Sequence, residues 1–566
     1  MPYRAPVEEF RFLFDHVVGF GEVTATPRFA DAGGETTEAV LTGAGRLCEE
    51  VLAPLRRTGD LNPARLENGV VRTSPGFAEA YRAMAEGGWI AVAAPAEHGG
   101  LGLPQTVATA LNEMMSGANL VLNLGPLLTQ GQIEALAAHA SDDLRALYLP
   151  KLISGEWSGT MNLTEPQAGS DVGALRTRAE PMGDGTYAIT GQKIYITWGD
   201  ADFMENVVHL VLARLPGAAP GTRGISLFLV PRHLPDADGR PGARNAVRVV
   251  SLEHKLGLHA SPTCVMDYAG AKGWLVGAEN GGMAAMFTMM NNARLGVGVQ
   301  GIGVAEGAFQ HALAYARTRV QGKAPGTGAI IEHADVRRML AAMKAETQAA
   351  RAIALSCAVA IDMAEATGDA GWAARAALLT PIAKSFGTDT GIWVANEGVQ
   401  IHGGMGYVEE TGAAQFLRDV RVTSIYEGTN GIQAMDLVGR KMMDGGDAAF
   451  RLLDEVQAGA EAARGAEPDL ARAVWTAAEA LRETTEWLLE QGMETRFAGA
   501  VPFQRAFARV LGAHFHLSAA RAGGAARRAL ARFYVESLLP EHAGLLAQAR
   551  DGGGAVLALS PDDLAA

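Results

Sequence analysis

The hydrophobic period changes twice along this chain, and that order constrains the fold more than any other feature. Up to about residue 158 apolar residues recur at helical spacing. Thr36-Thr37-Glu38 precedes AVLTGAGRLCEEVLAPL, and Ser74-Pro75 opens GFAEAYRAMAEGGW with a capping residue and a first-turn proline. From about 159 to 275 the period falls to two, in runs such as TYAITGQKIYITWGD, VVHLVLARL and GISLFLVPRHL separated by Gly/Pro/Asp turns, which predicts an antiparallel sheet or small barrel. From Gly281 the helical period returns, with helices predicted over about 283–320, 333–366, 371–398 and 410–441. MMDGGD at 442–447 is expected to link this bundle to a further helical unit. The predicted division is an extension over 1–35, a helical domain over 36–158, a β domain over 159–280, a bundle over 281–445 and an extra helical domain over 446–566. The fold class is thus mainly α with a central β domain. Because strands and helices do not alternate, a doubly wound nucleotide-binding sheet is not expected.

The 566 residues suffice for about three to five domains. Apolar residues make up 48% and charged residues 19%, so a large core can form. Forty-eight Lys+Arg against 62 Asp+Glu give a net charge of -14, which argues against nucleic acid as the main partner. Cys48, Cys264 and Cys357 lie far apart, which excludes a disulfide framework and a zinc ribbon; no metal site is expected. No stretch approaches the ~18 apolar residues that span a bilayer. MPYRAPVEEFRFLF carries early acids and no small-residue cleavage site, so no signal or transit peptide is expected. These readings predict a soluble, cytoplasmic chain without a membrane partner.

Gly296-Val-Gly298-Val-Gln-Gly301 has the GxGxxG form of a dinucleotide loop. It follows a helical run instead of a strand, and position 321 is Gln, so close helix packing is the expected reading. Four other motifs bear on chemistry. In Leu163-Thr-Glu-Pro-Gln-Ala-Gly-Ser-Asp171, Gly169 and Ser170 offer backbone N–H groups and a hydroxyl to an oxygen-rich anion; an ordinary polar turn has the same composition. In Gly191-Gln-Lys-Ile-Tyr-Ile-Thr-Trp-Gly199, alternation puts Tyr195 and Thr197 on one strand face, fit for a flat heterocycle or for plain cross-strand packing. The third is Gln400-Ile-His-Gly-Gly-Met-Gly-Tyr407, and the fourth is Ser424-Ile-Tyr-Glu-Gly-Thr-Asn-Gly-Ile-Gln433. In the fourth, Glu427 stands in an uncharged run, where its pKa should rise toward a useful general base, unless it is a helix-end Glu facing solvent. Gly428 beside it lets a ligand approach the backbone.

Together and in this order, over about residues 75 to 441, these motifs resemble the acyl-CoA dehydrogenase family, flavoproteins that introduce a double bond between the α and β carbons of an acyl-CoA. The N-terminal segment and the extra C-terminal region are similar to a longer subgroup of that family. The resemblance implies a helical N-domain, a β-barrel middle domain and a four-helix bundle, followed here by an extra helical domain.

It also implies roles for particular residues. Met161, Leu163 and Thr164 would lie along an FAD isoalloxazine, with Gly169 and Ser170 near the pyrophosphate and Ser170 also near substrate. Tyr195 replaces the usual Trp against the ring, and Thr197 stands where the family hydrogen-bonds near flavin N5. Arg319, Gln321 and His333 would reach the FAD of a neighbouring subunit; Ala334 replaces a usual Gln. Gln400, Gly403 and Gly404 would touch it across a dimer interface, and Thr429 and Asn430 are further FAD contacts. Asn291, where the family usually has Asp, and Arg294 would bind the CoA portion, with Gly428 against the substrate. Glu427 matches the catalytic base. No acid occupies the alternative base position near Arg294 and Gly296.

Implied partners are an acyl-CoA substrate, an electron-transfer flavoprotein and a second copy of the chain, as a dimer or a dimer of dimers. An acyl-CoA oxidase on the same fold is a rival that the sequence does not separate. A DNA-associated stress protein is disfavoured because the C-terminal region has Arg but no Lys and its acids outnumber its Arg residues. Acyl chain length is left open by the sequence, with 3-methylthiopropanoyl-CoA one candidate substrate. Trp475, Trp487, Leu488 and Leu489 in the extra domain are expected to pack onto their own bundle.

Overall fold

The computed structural model describes residues 3–566. Its backbone is organised by one central helix, Gly282–Thr318, flanked by Gln105–His139 on one side and Ala370–His402 on the other. The glycines of the central helix explain this closeness. A Cβ on Gly298 would stand 2.6 Å from Ala383 O, and one on Gly301 would stand 2.3 Å from Gly387 O. The opposing helix answers in kind: a Cβ on Gly387 would meet Gly298 O at 2.4 Å. On the other flank a Cβ on Gly303 would meet Glu113 O at 2.4 Å. The GxGxxG run is therefore a backbone-to-backbone helix seam, as its helical context predicts.

A buried charge cluster ties three of the long helices. Arg351, from Ala334–Thr367, donates to Glu113 (Nε, 2.8 Å) and to Glu306 (Nη2, 2.8 Å).

The middle region forms a curved seven-stranded sheet. Strand Thr263–Val276 pairs with Tyr187–Thr197 along most of its length and with Val247–Leu252 over Cys264–Tyr268, then with Ser226–Pro231 through its last three residues. It thus joins two layers around a core that includes Ile189, Phe228, Val230 and Met266. One pairing, Trp157–Asn162 with Asn206–Ala213, is parallel, because a chain segment that includes two further strands separates them.

Three expectations need correction. A short hairpin, Arg65–Glu67 with Val70–Arg72, interrupts the helical N-terminal region at Asn68-Gly69, where both residues have positive φ. The helix predicted over 410–441 is two helices, Ala413–Val420 and Asn430–Gly439, because Glu427 and Gly428 both adopt left-handed φ (+55° and +82°) and Thr429 caps the second helix. Strict alternation also fails along Tyr187–Thr197. Ile196 pairs with Cys264 and Lys193 with Met266, so Ile194 and Tyr195 share one opposing residue in a β-bulge.

The extra C-terminal helices lie on the bundle. Arg509 pairs with Glu346, and Gln504 Nε2 donates to Pro381 O at 2.9 Å. The N-terminal helix Val7–His16 joins them through Glu9, which pairs with Arg527. Leu488 is fully buried and Trp487 and Leu489 are half-buried, as expected, whereas Trp475 stays 39% exposed. All three cysteines are free and buried. No helix among the described residues is long and apolar enough to cross a membrane.

Candidate active site

The Leu163–Asp171 loop is held from beneath by a buried ion pair. Lys193 Nζ donates to Glu165 Oε1 (2.8 Å) and to Leu163 O (2.9 Å), and Ile194 N donates to Thr164 O (2.9 Å). Glu165 also accepts from the backbone of Arg176 (2.7 Å) and Thr177 (3.0 Å) and from the Thr177 hydroxyl (2.6 Å). Burial opposes its charge, but Lys193 and these donors outweigh burial and hold the carboxyl at about 2. With Glu165 anchored inward, Gly169 and Ser170 project outward and are exposed, and a Cβ on Gly169 would meet nothing within 4 Å. Met161, Leu163 and Thr164 line the half-buried approach to that loop.

The bulge then sets the neighbouring aromatic residue. Tyr195 has φ +60° and is 60% exposed, and Trp198 has φ +50°. Half-buried Thr197 lies between them, its carbonyl accepting from the Thr160 hydroxyl at 2.8 Å. Two left-handed non-glycine residues within four positions cost about 1–3 kcal/mol each, a form of strain that clusters at functional sites. Trp198 Nε1 donates to Val121 O (3.2 Å), docking this strand end on helix Gln105–His139.

The third left-handed residue of this group is Glu427 itself. Its carbonyl accepts from Gln433 Nε2 (3.1 Å), and the next carbonyl, Gly428 O, accepts from Lys384 Nζ (2.9 Å). Tyr426 donates its hydroxyl to Gln300 of the central helix. Among the described residues the Glu427 N–H donates to no backbone acceptor, so it is available to a ligand. The side chain is half-buried, and desolvation raises its pKa to about 7 against the lowering fields of Arg294 and Lys384.

Other sequence candidates fall in different places. Arg294 does not reach outward: it is buried and paired with Asp436 at 3.4 Å, a carboxylate shared with Arg440 at 2.6 Å. Asn291, one turn earlier, is exposed. The Asn430 side chain is occupied internally, with Nδ2 on Asp389 Oδ1 (2.7 Å) and Oδ1 on Lys384 Nζ (2.8 Å), while exposed Thr429 caps its helix. Arg319, Gln321 and half-buried His333 form an exposed loop in which His333 Nε2 bonds Gln321 O at 3.1 Å. Gln400, Gly403 and Gly404 are exposed at the end of helix Ala370–His402. A cavity of about 360 Å³ bounded by Arg56, His311 and Phe416 contains none of the motif residues. Residues missed from sequence are Lys193, Glu165, Lys384 and Gln433, all interior supports of the loops that carry the motifs.

Comparison with known proteins gives the family and the fold. Family models described as the acyl-CoA dehydrogenase N-terminal, middle and C-terminal domains match residues 34–156, 160–271 and 280–443, and an acetyl-CoA dehydrogenase C-terminal-like model matches 452–560. The 3-methylmercaptopropionyl-CoA dehydrogenase of Ruegeria pomeroyi is 47% identical over 89% of this chain and 88% of its own length. A broad-specificity linear acyl-CoA dehydrogenase of Mycobacterium tuberculosis is 36% identical over 80% and 78%. The crystal structure of Caenorhabditis elegans ACDH-11 in complex with C11-CoA shares the fold, with a TM-score of 0.82 at 22% identity over 95% of this chain and 92% of that one. The chain belongs to the acyl-CoA dehydrogenase family of flavoprotein oxidoreductases, with an extra C-terminal domain.

Proposed function

We propose that the protein oxidises an acyl-CoA thioester to the trans-2-enoyl-CoA, with Glu427 removing the α-proton. The observation that carries this reading is the Glu427 turn: a half-buried carboxyl held near pH 7 beside a free backbone N–H. A base with a pKa near working pH is efficient, typically worth ~10²–10⁴-fold. The Glu427 N–H can donate to the thioester carbonyl as enolate-like charge develops, an effect worth ~2.7–4 kcal/mol per donor.

The chain's residues fit FAD as the cofactor. The outward Gly169-Ser170 turn suits its phosphates, and the exposed Tyr195 and half-buried Thr197 offer a flat face and a hydroxyl. Met161, Leu163 and Thr164 would lie along the ring, and Thr429 and Asn430 would be further contacts. When bound, FAD supplies flavin N5 as acceptor for the β-hydride. Arg319, Gln321, His333, Gln400, Gly403 and Gly404 would serve the cofactor of a second copy, making the unit a homodimer or a dimer of dimers. Ser170, Asn291 and Gly428 would border the substrate, while buried Arg294 would act only through its field on Glu427. Similarity to the Ruegeria pomeroyi enzyme makes 3-methylthiopropanoyl-CoA the first substrate to try, with an electron-transfer flavoprotein as electron acceptor.

Anaerobic flavin bleaching against a panel of acyl-CoAs tests the reading. Bleaching by 3-methylthiopropanoyl-CoA or a close homologue is expected; an enzyme bleached by none would contradict it. Peroxide yield in air then separates a dehydrogenase from an oxidase.

A further inference from the structure

Lys384 lies within helix Ala370–His402 and is fully buried. A buried ammonium is normally neutralised by a carboxylate. Here the hydrogen-bond acceptors are both neutral: Gly428 O at 2.9 Å and Asn430 Oδ1 at 2.8 Å. The Asn430 amide cannot turn around without loss. Its Nδ2 donates to Asp389 (2.7 Å) and to the Thr388 hydroxyl (3.0 Å), so its oxygen must face Lys384. The arrangement keeps a positive charge behind the Glu427–Gly428 turn without cancelling it at contact distance. The glycine seam at Gly298 and Gly387 brings this helix close enough to do so.

We infer that Lys384 is a positioning residue for the reaction: its ammonium grips the Gly428 carbonyl to fix the left-handed turn, and its charge faces the Glu427 carboxylate from behind. The inference rests on the proposed role of Glu427 as base. The charged groups bearing on Glu427 are Arg294 from the central helix and Lys384. Arg294 is compensated by Asp436 in direct contact. Asp389, which hydrogen-bonds Asn430 on the far side of the amide, also favours the Lys384 ammonium, while burial lowers that group's pKa to about 8. Arg294 exerts the larger field on Glu427, and Lys384 is singled out by its direct grip on the turn with no carboxylate within its own hydrogen-bond reach. Gln433 Nε2, on the adjacent carbonyl, is a neutral clamp on the same turn.

The test compares flavin-loaded wild type with Lys384→Met, Lys384→Gln, Lys384→Arg and Gln433→Leu, reading kcat against pH with an artificial electron acceptor, together with the flavin spectrum. Met and Gln are expected to move the acid limb upward by about one pH unit, because the charge that favours the carboxylate is gone. Misplacement of the turn should also lower kcat by about 10- to 100-fold. Gln can still donate to Gly428 O, so it keeps the readout accessible where Met fails to fold. Arg should return the limb toward the wild-type position, and Gln433→Leu should lower kcat without moving it. An acid limb left in place by Gln, with no recovery by Arg, would overturn the inference. A wild-type enzyme that oxidises no acyl-CoA would instead overturn the underlying reading, and that measurement involves no Lys384 variant.

Discussion

Lys193 Nζ lies 2.8 Å from Glu165 Oε1, and both side chains are buried beneath the loop that ends in Gly169 and Ser170. Removing one partner leaves the other charge unpaired in the interior, which costs about 3–5 kcal/mol. Lys193→Met should therefore lower the thermal midpoint and speed flavin release, since the loop loses its anchor at both Glu165 and Leu163 O. Paired thermal unfolding and flavin-retention measurements check this. Normal stability with normal flavin affinity would contradict it.

The pH dependence follows from Glu427. Its pKa of about 7 means that the proton-accepting form is lost as pH falls through 7. With excess acceptor, kcat/KM should rise about tenfold per pH unit below 7 and level off above it. A profile flat from pH 5 to 8 would show that Glu427 does not titrate in the rate-determining step.

Gly301 tests the helix seam. Alanine there would put a Cβ 2.3 Å from Gly387 O, so the two helices must part. Overpacking of this kind costs about 1–3 kcal/mol. Gly301→Ala should lower the unfolding free energy from denaturant titration by that amount and also lower turnover, because the parting helix carries Lys384.

An apolar surface adjoins the residues assigned to a second copy's cofactor. Tyr407 is 88% exposed, Val320 62% and Met405 47%. Tyr407→Asp should increase the monomer fraction in light scattering and lower flavin retention together. An unchanged dimer with unchanged flavin would remove this face from the interface.

The sequence announces what is exposed or conformationally special and hides what supports it. Glu427 stands out because its neighbours are uncharged, and Gly169 and Ser170 because they make a polar turn at a change of period. Lys193 looks like an ordinary solvent-facing strand residue in GQKIYIT. Only the bulge at Ile194 and Tyr195, opposite Val265, brings it to the same face as buried Ile196. Lys384 sits in an unremarkable helical run, and its meaning comes from carbonyls more than 40 residues away. The 410–441 region kept an apparent helical period across its break, because two short helices on either side of a turn both bury apolar faces. The turn was marked locally by Gly428 and Thr429, a glycine followed by an N-cap residue.

The central claim is that Glu427 takes the α-proton. Glu427→Gln keeps the side chain's size and its neighbours but removes the base. The decisive measurement is anaerobic flavin bleaching by 3-methylthiopropanoyl-CoA in that variant, alongside its flavin content. Full flavin content with bleaching slowed by at least about 10²-fold is the predicted result. Bleaching at close to the wild-type rate would contradict the account.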